Sequence, residues 1–198
     1  MRIIRLNNNG PVYTCNVYLV LGAWGALEDV NSLVDTGSDG SLLDEVEKIY
    51  TGVGKNKVDR VVLTHSHFDH AGGLSAVVQR YRPEVYAFTD LGVRNNSLYN
   101  GQIIRLGDSD FEVLHAPMHS NDSICLYCAK DGVLFSGDTP LHIKSPGGSY
   151  TAAFVDLLER LASLRIKAVY SGHGVPVTAQ AAEMICHTLL NVRKSSVV

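Results

Sequence analysis

Val61-Val62-Leu63-Thr64-His65-Ser66-His67-Phe68-Asp69-His70-Ala71-Gly72-Gly73-Leu74 is the stretch around which the chain is organised. Val61–Leu63 reads as a buried strand, and a helical pattern begins at Leu74 after the two glycines. The three histidines and the aspartate therefore sit on a strand-to-helix turn, where side chains from neighbouring residues converge on one point. Imidazole and carboxylate together suit Zn, Mn or Fe. A histidine-rich solvated loop is the plain alternative, but the whole chain of 198 residues holds only 8 histidines. Three within six positions favours a metal site, and the remaining ligands must come from elsewhere.

Working outward, the length fits one domain spanning residues 1–198, long enough to bury a substantial core. A formal net charge of -3 argues against a broad nucleic-acid or anionic-membrane surface. The apolar run Val17–Trp24 is interrupted by Gly22 and is too short to span a bilayer. Met1–Asn9 lacks the apolar core and cleavage site of a signal peptide, so the expected location is cytoplasmic. The expected partner is a small-molecule substrate; the oligomeric state is left open. Cys125-Leu126-Tyr127-Cys128 has redox or zinc spacing, but in a strand residues three apart point to opposite faces. All four cysteines are read as packing residues.

Two strands are expected at Met1–Leu6 and Val12–Leu21, joined by a turn at Asn7–Pro11, with further strands at Ser32–Asp35 and Arg60–Leu63. A helix follows from Ser41, its expected N-cap, and another runs to Tyr81, where Pro83 stops it. Strands at Glu84–Phe88, Gln102–Leu106, Phe111–His115 and Ser123–Cys128 come next, the last paired with Val133–Phe135 as a hairpin. Thr89–Asn100 reads as irregular and Leu141–Tyr150 as a loop. An amphipathic helix over Thr151–Leu164, a strand at Lys167–Tyr170 and a helix from Thr178 complete the chain. This order implies α/β or α+β layering.

Three more candidate ligands follow strand ends: His119 after His115, Asp138 after Phe135, and His173 after Tyr170. Each alone is an ordinary turn residue. Together with His65-x-His67-x-Asp69-His70, and with Asp35-Thr36-Gly37, they give the chain a pattern that resembles the metallo-β-lactamase fold superfamily, from about Val12 to about Pro176. The resemblance implies a four-layer αββα sandwich and two adjacent divalent metal ions, Zn or alternatively Fe or Mn. One ion would take His65, His67 and His119; the other would take Asp69, His70 and His173. Asp138 would bridge them together with a water or hydroxide, making Asp69 and Asp138 the catalytic carboxylates, while Asp35 would orient a ligand.

Two cations acidify a bridging water, so such a site hydrolyses without a serine triad, and no Gly-x-Ser-x-Gly elbow is present. Asp69-His70 resembles the glyoxalase-II-like branch and implies a thioester or similar acyl substrate. A lactone or ester hydrolase and an iron-dependent persulfide dioxygenase are the alternatives within the same fold. Two features depart from the pattern: Met118 stands where Pro-Gly-His is common, and the helical domain that follows in true glyoxalase II is absent. His142 is expected near the site, either as a loop residue or in contact with substrate. His115 is read as packing or supporting the site, and His187 as structural.

Overall fold

A computed structural model describes residues 1–6, 12–92 and 94–198; the turn expected at Asn7–Pro11 lies outside them. The first half of the chain builds one sheet. β1 (Arg2–Leu6), β2 (Val17–Leu21) and β3 (Ser32–Val34) pair antiparallel in sequence order. α1 (Leu42–Lys48) then crosses over to β4 (Arg60–Val62), which lies parallel to β3. α2 (Phe68–Ala71) and α3 (Leu74–Tyr81) make the next crossover to β5 (Glu84–Ala87), and β6 (Asn96–Ser97) adds a short parallel edge. Parallel neighbours require such crossovers, so α1 and α3 both lie against this sheet.

The second half builds a second sheet. β7 (Ile103–Leu106), β8 (Ser109–His115), β9 (Ile124–Cys128) and β10 (Val133–Gly137) run antiparallel in succession. The chain then passes through β11 (Ser149–Tyr150) and α4 (Ala152–Ala162) before β12 (Ala168–Ser171) returns parallel to β10. α5 (Ala181–Arg193) packs on α4, and β13 (Ser196–Val197) pairs with β11.

Three apolar layers show how the elements stack. Val17, Leu19, Leu33 and Val61 face Leu42, Val46, Leu74 and Val77 of α1 and α3. On the opposite face of that sheet, Val20, Val34 and Val62 meet Phe111, Val113, Leu126 and Phe135. Beyond the second sheet, Leu114, Tyr127, Leu134 and Val169 pack on α4 and α5. The result is the expected αββα sandwich. Because both faces of each sheet are covered, β2 and β9 are buried at every position. Cys125 points to the helix layer and Cys128 between the sheets, as expected of strand residues three apart.

Several local expectations give way to tertiary contacts. Only Val17–Leu21 of the expected strand Val12–Leu21 joins the sheet. Residues 13–16 instead bond to loops: Cys15 N–H donates to the Asp69 carbonyl at 3.2 Å and Asn16 N–H to that of Gly172 at 2.6 Å. Ser41 adopts helical geometry and its hydroxyl does not cap α1; the Asp39 carboxylate accepts the Ser41 N–H at 2.9 Å. Thr151 does cap α4, accepting from Phe154 N–H. The two-residue strands β6, β11 and β13 carry too few residues for any periodicity. Cys186 is exposed rather than packed. Among the described residues no helix is long and apolar enough to cross a membrane.

Candidate metal centre

All the chemistry-bearing residues emerge from one end of the two sheets. Asp35 follows β3, His65–His70 follow β4, His119 follows β8, Asp138 follows β10 and His173 follows β12. Thr64 locks the join between the sheets, its carbonyl accepting the Ile124 N–H at 2.9 Å. His67 ends the extended segment and starts α2, its carbonyl accepting the N–H groups of His70 and Ala71. That sharp turn brings Asp69 and His70 back toward His65.

Two clusters result. His65, His67 and His119 form one; Asp69, His70, Asp138 and His173 form the other, and within each the ligand-type atoms all lie within 4.8 Å of one another. In the first, His119 Nε2 lies 2.9 Å from His67 Nδ1. In the second, His173 Nε2 lies 3.1 Å from Asp69 Oδ2. Asp138 stands between them: Oδ2 is 3.5 Å from His119 Nε2 and 3.4 Å from His173 Nε2, while Oδ1 is 3.3 Å from His70 Nε2. All seven residues singled out in the sequence thus meet at one place.

The clusters fit divalent cations on their own chemistry. His65 Nε2, His70 Nε2 and Asp138 Oδ1 are buried without a hydrogen-bond partner. Leaving a buried polar atom unpaired costs about 1–3 kcal/mol, and here His65 Nε2 stands beside His70 Nε2 and Asp138 Oδ1, which face only each other at 3.3 Å. A set of imidazoles and carboxylates gathered this closely is what Zn, Fe or Mn favours.

Electrostatics acts on the same atoms in different senses. Burial, aided by the neighbouring His70, pushes His65 down to about 4, so its imidazole is neutral and able to ligate. Burial acts to raise the pKa of Asp138, but the imidazoles of His70, His173 and His65 outweigh it and keep the carboxyl ionised. Burial likewise works against a charge on His70, yet Asp35 and Asp138 prevail and raise its pKa.

A supporting layer lies behind the ligands. Asp35 Oδ2 is 2.8 Å from His70 Nδ1, and the same carboxylate accepts from the N–H and hydroxyl of Thr64. Cys15 completes a fully buried group with Asp35 and His70. Burial pushes its thiol up to about 11 despite the contact with His70. The Asp122 carboxylate accepts from Ser66 N–H at 2.9 Å and from the Ser120 hydroxyl at 2.7 Å, tying the His119 loop to the turn that carries His65 and His67. Thr64 and Asp122 carry no sequence signal, because each acts through a partner distant in the chain.

The histidines left over separate clearly. His115 stacks on Phe88 with ring centroids 4.1 Å apart, and its Nε2 donates to the Asn121 carbonyl at 2.8 Å, so it packs the base of the His119 loop. His142 is exposed on the rim of a cavity of about 480 Å³ that contains His119, Asp138 and His173. It also borders a neighbouring groove of about 770 Å³ along α5, where His187 is exposed rather than structural.

Comparison with known proteins agrees with this architecture. The model of the metallo-beta-lactamase superfamily matches residues 10–96 and 92–173. The chain belongs to that superfamily. An atrochrysone carboxyl ACP thioesterase of Aspergillus fumigatus is 27% identical over 197 aligned residues, covering 89% of this chain and 47% of that protein. A hydroxyacylglutathione hydrolase of Francisella tularensis subsp. novicida is 33% identical over 92 residues, 44% of this chain and 36% of its own length. The chain spans about half the length, or less, of these curated relatives. Among solved structures, TTHA1623 in a di-iron-bound form superimposes with a TM-score of 0.66 at 26% identity, covering 93% of this chain and 98% of that one.

Proposed function

We propose that this chain acts as one catalytic unit, a metal-dependent hydrolase of thioesters or similar small acyl substrates. The observation that carries the reading is the convergence of seven ligand-type side chains in two clusters, joined by Asp138, with His119, Asp138 and His173 lining a cavity of about 480 Å³. Two curated relatives named as a thioesterase and a hydroxyacylglutathione hydrolase support the choice of a thioester. The di-iron-bound relative supports a paired site.

His65, His67 and His119 would hold one cation, and Asp69, His70 and His173 the other, with Asp138 shared. Divalent cations in these positions supply Lewis acidity, lowering the pKa of water toward neutrality and polarising an acyl carbonyl. Around them the chain's own residues do the rest. Asp35 keeps the His70 ring oriented, with Nε2 toward Asp138. Asp138, held ionised, offsets the cationic charge. His142, on the rim, is placed to contact the departing thiol arm where the cavity opens into the groove along α5.

Elemental analysis of protein purified without added metal, followed by a thioester, lactone and phosphodiester panel with Zn, Mn or Fe, tests the proposal. Two ions per chain with thioester turnover is the expected result. One iron per chain with oxygen uptake and no hydrolysis would overturn it in favour of a dioxygenase.

A further inference from the structure

We propose that the groove along α5 receives the thiol arm of the substrate and that Lys144 and Lys194 read a phosphate carried at the arm's far end; this rests on the thioester reading above. The groove, of about 770 Å³, and the cavity at the metal centre share His142, Val177 and Met184, so one opens into the other. Met184 marks the near end. Lys194 lies ten residues further along the helix, which at about 1.5 Å per residue is roughly 15 Å. A small acyl group bonded at Asp138 ends within the cavity. Only a substituent on the sulfur side, with on the order of a dozen extended chain atoms, spans the remaining distance.

The groove has two fixed walls. α5 buries Ala181, Ile185, Thr188, Leu189 and Val192 on its inner face. Met184, His187, Leu190, Asn191 and Lys194 follow at spacings of three and four, so they share an adjacent face, and all of them line the groove. The opposite wall is the loop after Asp138, which hydrogen bonds clamp to the helix. The Thr188 hydroxyl donates to the Leu141 carbonyl at 2.7 Å and accepts from Ile143 N–H at 3.1 Å. The Asn191 side-chain amide donates to the Ile143 carbonyl at 2.8 Å. Thr188 is buried, so water competes little for this clamp.

Chemistry along the groove is graded. Val177, Met184 and Leu190 give it apolar walls, which suit a methylene-rich arm. The lysines gather at the other end: Lys194 lies one turn beyond Asn191, and Lys144 follows the Ile143 that Asn191 holds. Neither ammonium has an ion-pair partner among the described residues, whereas the neighbouring Arg193 pairs outside the groove with Glu159 at 2.7 Å. Glu183 is the one carboxylate among the residues lining the groove, and it stands at the Met184 end, eleven residues before Lys194. An anion at the far end therefore meets two unpaired cations and no nearby acid. Lysine ammonium groups bind phosphate as point charges, so no fixed fork geometry is required of them.

The test separates binding from turnover. 4′-Phosphopantetheine and pantetheine, the same thiol arm with and without phosphate, are titrated calorimetrically into metal-free protein at low salt. The wild type is expected to bind the phosphorylated thiol about 5-fold or more tightly, a preference that fades as salt is added. Lys194→Ala and Lys144→Ala should each weaken it about 2–5-fold, with pantetheine unaffected. Arg193→Ala, which removes the same charge beside the groove, should change neither. With metal restored, benzoyl-phosphopantetheine should exceed benzoyl-pantetheine in kcat/KM through a lower KM. Benzoyl thioesters of coenzyme A and of a carrier protein's phosphopantetheine then show which source of the arm the groove serves. Equal affinity for the two thiols, or an equal loss in Arg193→Ala, overturns the groove proposal. Absence of thioester turnover with Zn, Mn or Fe overturns the thioester reading instead, and the binding measured on metal-free protein still decides the groove.

Discussion

His70 is fully buried with its Nδ1 2.8 Å from Asp35 Oδ2, and Asp35 holds a φ of +62° to make that contact. A non-glycine residue at positive φ is uncommon, and aspartate and asparagine are among those that tolerate it. The carboxylate also takes two donors from Thr64, so a single side chain fixes both the strand end and the imidazole. Asp35→Asn keeps the backbone preference and the shape but removes the charge. Breaking a buried pair from one side costs about 3–5 kcal/mol. Urea unfolding of the metal-free variant should show a loss of that order, and zinc affinity should fall about 10–100-fold. An Asp35→Asn protein as stable and as metal-avid as the wild type would show that the contact orients nothing.

Gly172 is constrained by the site rather than by a turn. A Cβ built on it would overlap Asp138 Oδ1 and His70 Cε1, the latter on a fully buried side chain. Overpacking of this kind costs about 1–3 kcal/mol, and here it falls on a residue shared by both clusters. Gly172→Ala should therefore retain its circular dichroism spectrum and lose most zinc uptake. Normal uptake would mean that Asp138 can sit elsewhere.

How much of this could be read beforehand differs from residue to residue. His65, His67, Asp69 and His70 are neighbours in sequence, so their convergence needs only the local turn. His119, Asp138 and His173 become legible because each follows an apolar strand, and the strand ends lie at one edge of the sandwich. The opposite facing of Cys125 and Cys128 follows from strand geometry alone. Tyr13–Asn16 is misread for a physical reason: its alternation fits a strand, but its hydrogen bonds go to Asp69 and Gly172, contacts that no local pattern encodes. The pairing of β11 with β13 depends equally on distant partners and on segments of two residues.

The cysteines give a chemical reading of the layers. Cys15, Cys125 and Cys128 are buried and Cys186 is exposed. Burial pushes the Cys125 thiol up to about 12 and Cys15 up to about 11, so neither supplies thiolate at pH 8. A thiol-reactive chromogenic disulfide should modify one cysteine in native protein and four in denaturant. More than one fast-reacting thiol in the native state would contradict the packing of β9 or of the segment behind His70.

Asp108 sets an acid limit on one corner of the fold. Burial works to raise its pKa, but the Ala23 N–H at 3.0 Å, the Met1 amino group at 3.2 Å and the Ser109 hydroxyl at 3.1 Å bring it down to about 2. An ordinary aspartate titrates at 3.8, so this stabilisation is complete above that value and disappears as the pH falls through 2. Because the group is near the surface, its contribution is at most about 1 kcal/mol. Asp108→Asn should lower the urea midpoint slightly at pH 6, with the gap closing progressively below pH 4. A gap that persists unchanged to pH 2 would assign the effect to something other than the charge.

Removing metal should cost stability in proportion to the atoms it leaves unpaired. His65 Nε2 is buried without a partner, and His70 Nε2 and Asp138 Oδ1 have only each other at 3.3 Å, outside hydrogen-bond geometry, so a cation bound there also relieves desolvation. With free zinc at roughly one hundred times its dissociation constant, binding to the folded state alone adds about 2.7 kcal/mol per site. For a chain of this length each kcal/mol moves the melting temperature by about 2–4 °C. Dialysis against a chelator should therefore lower the melting temperature by about 5–20 °C, depending on whether one or two sites empty, and added zinc should restore it. Asp138→Ala should show a smaller chelator-dependent shift, since the shared carboxylate is gone from both clusters. A melting temperature indifferent to chelator in the wild type would count directly against the metal centre.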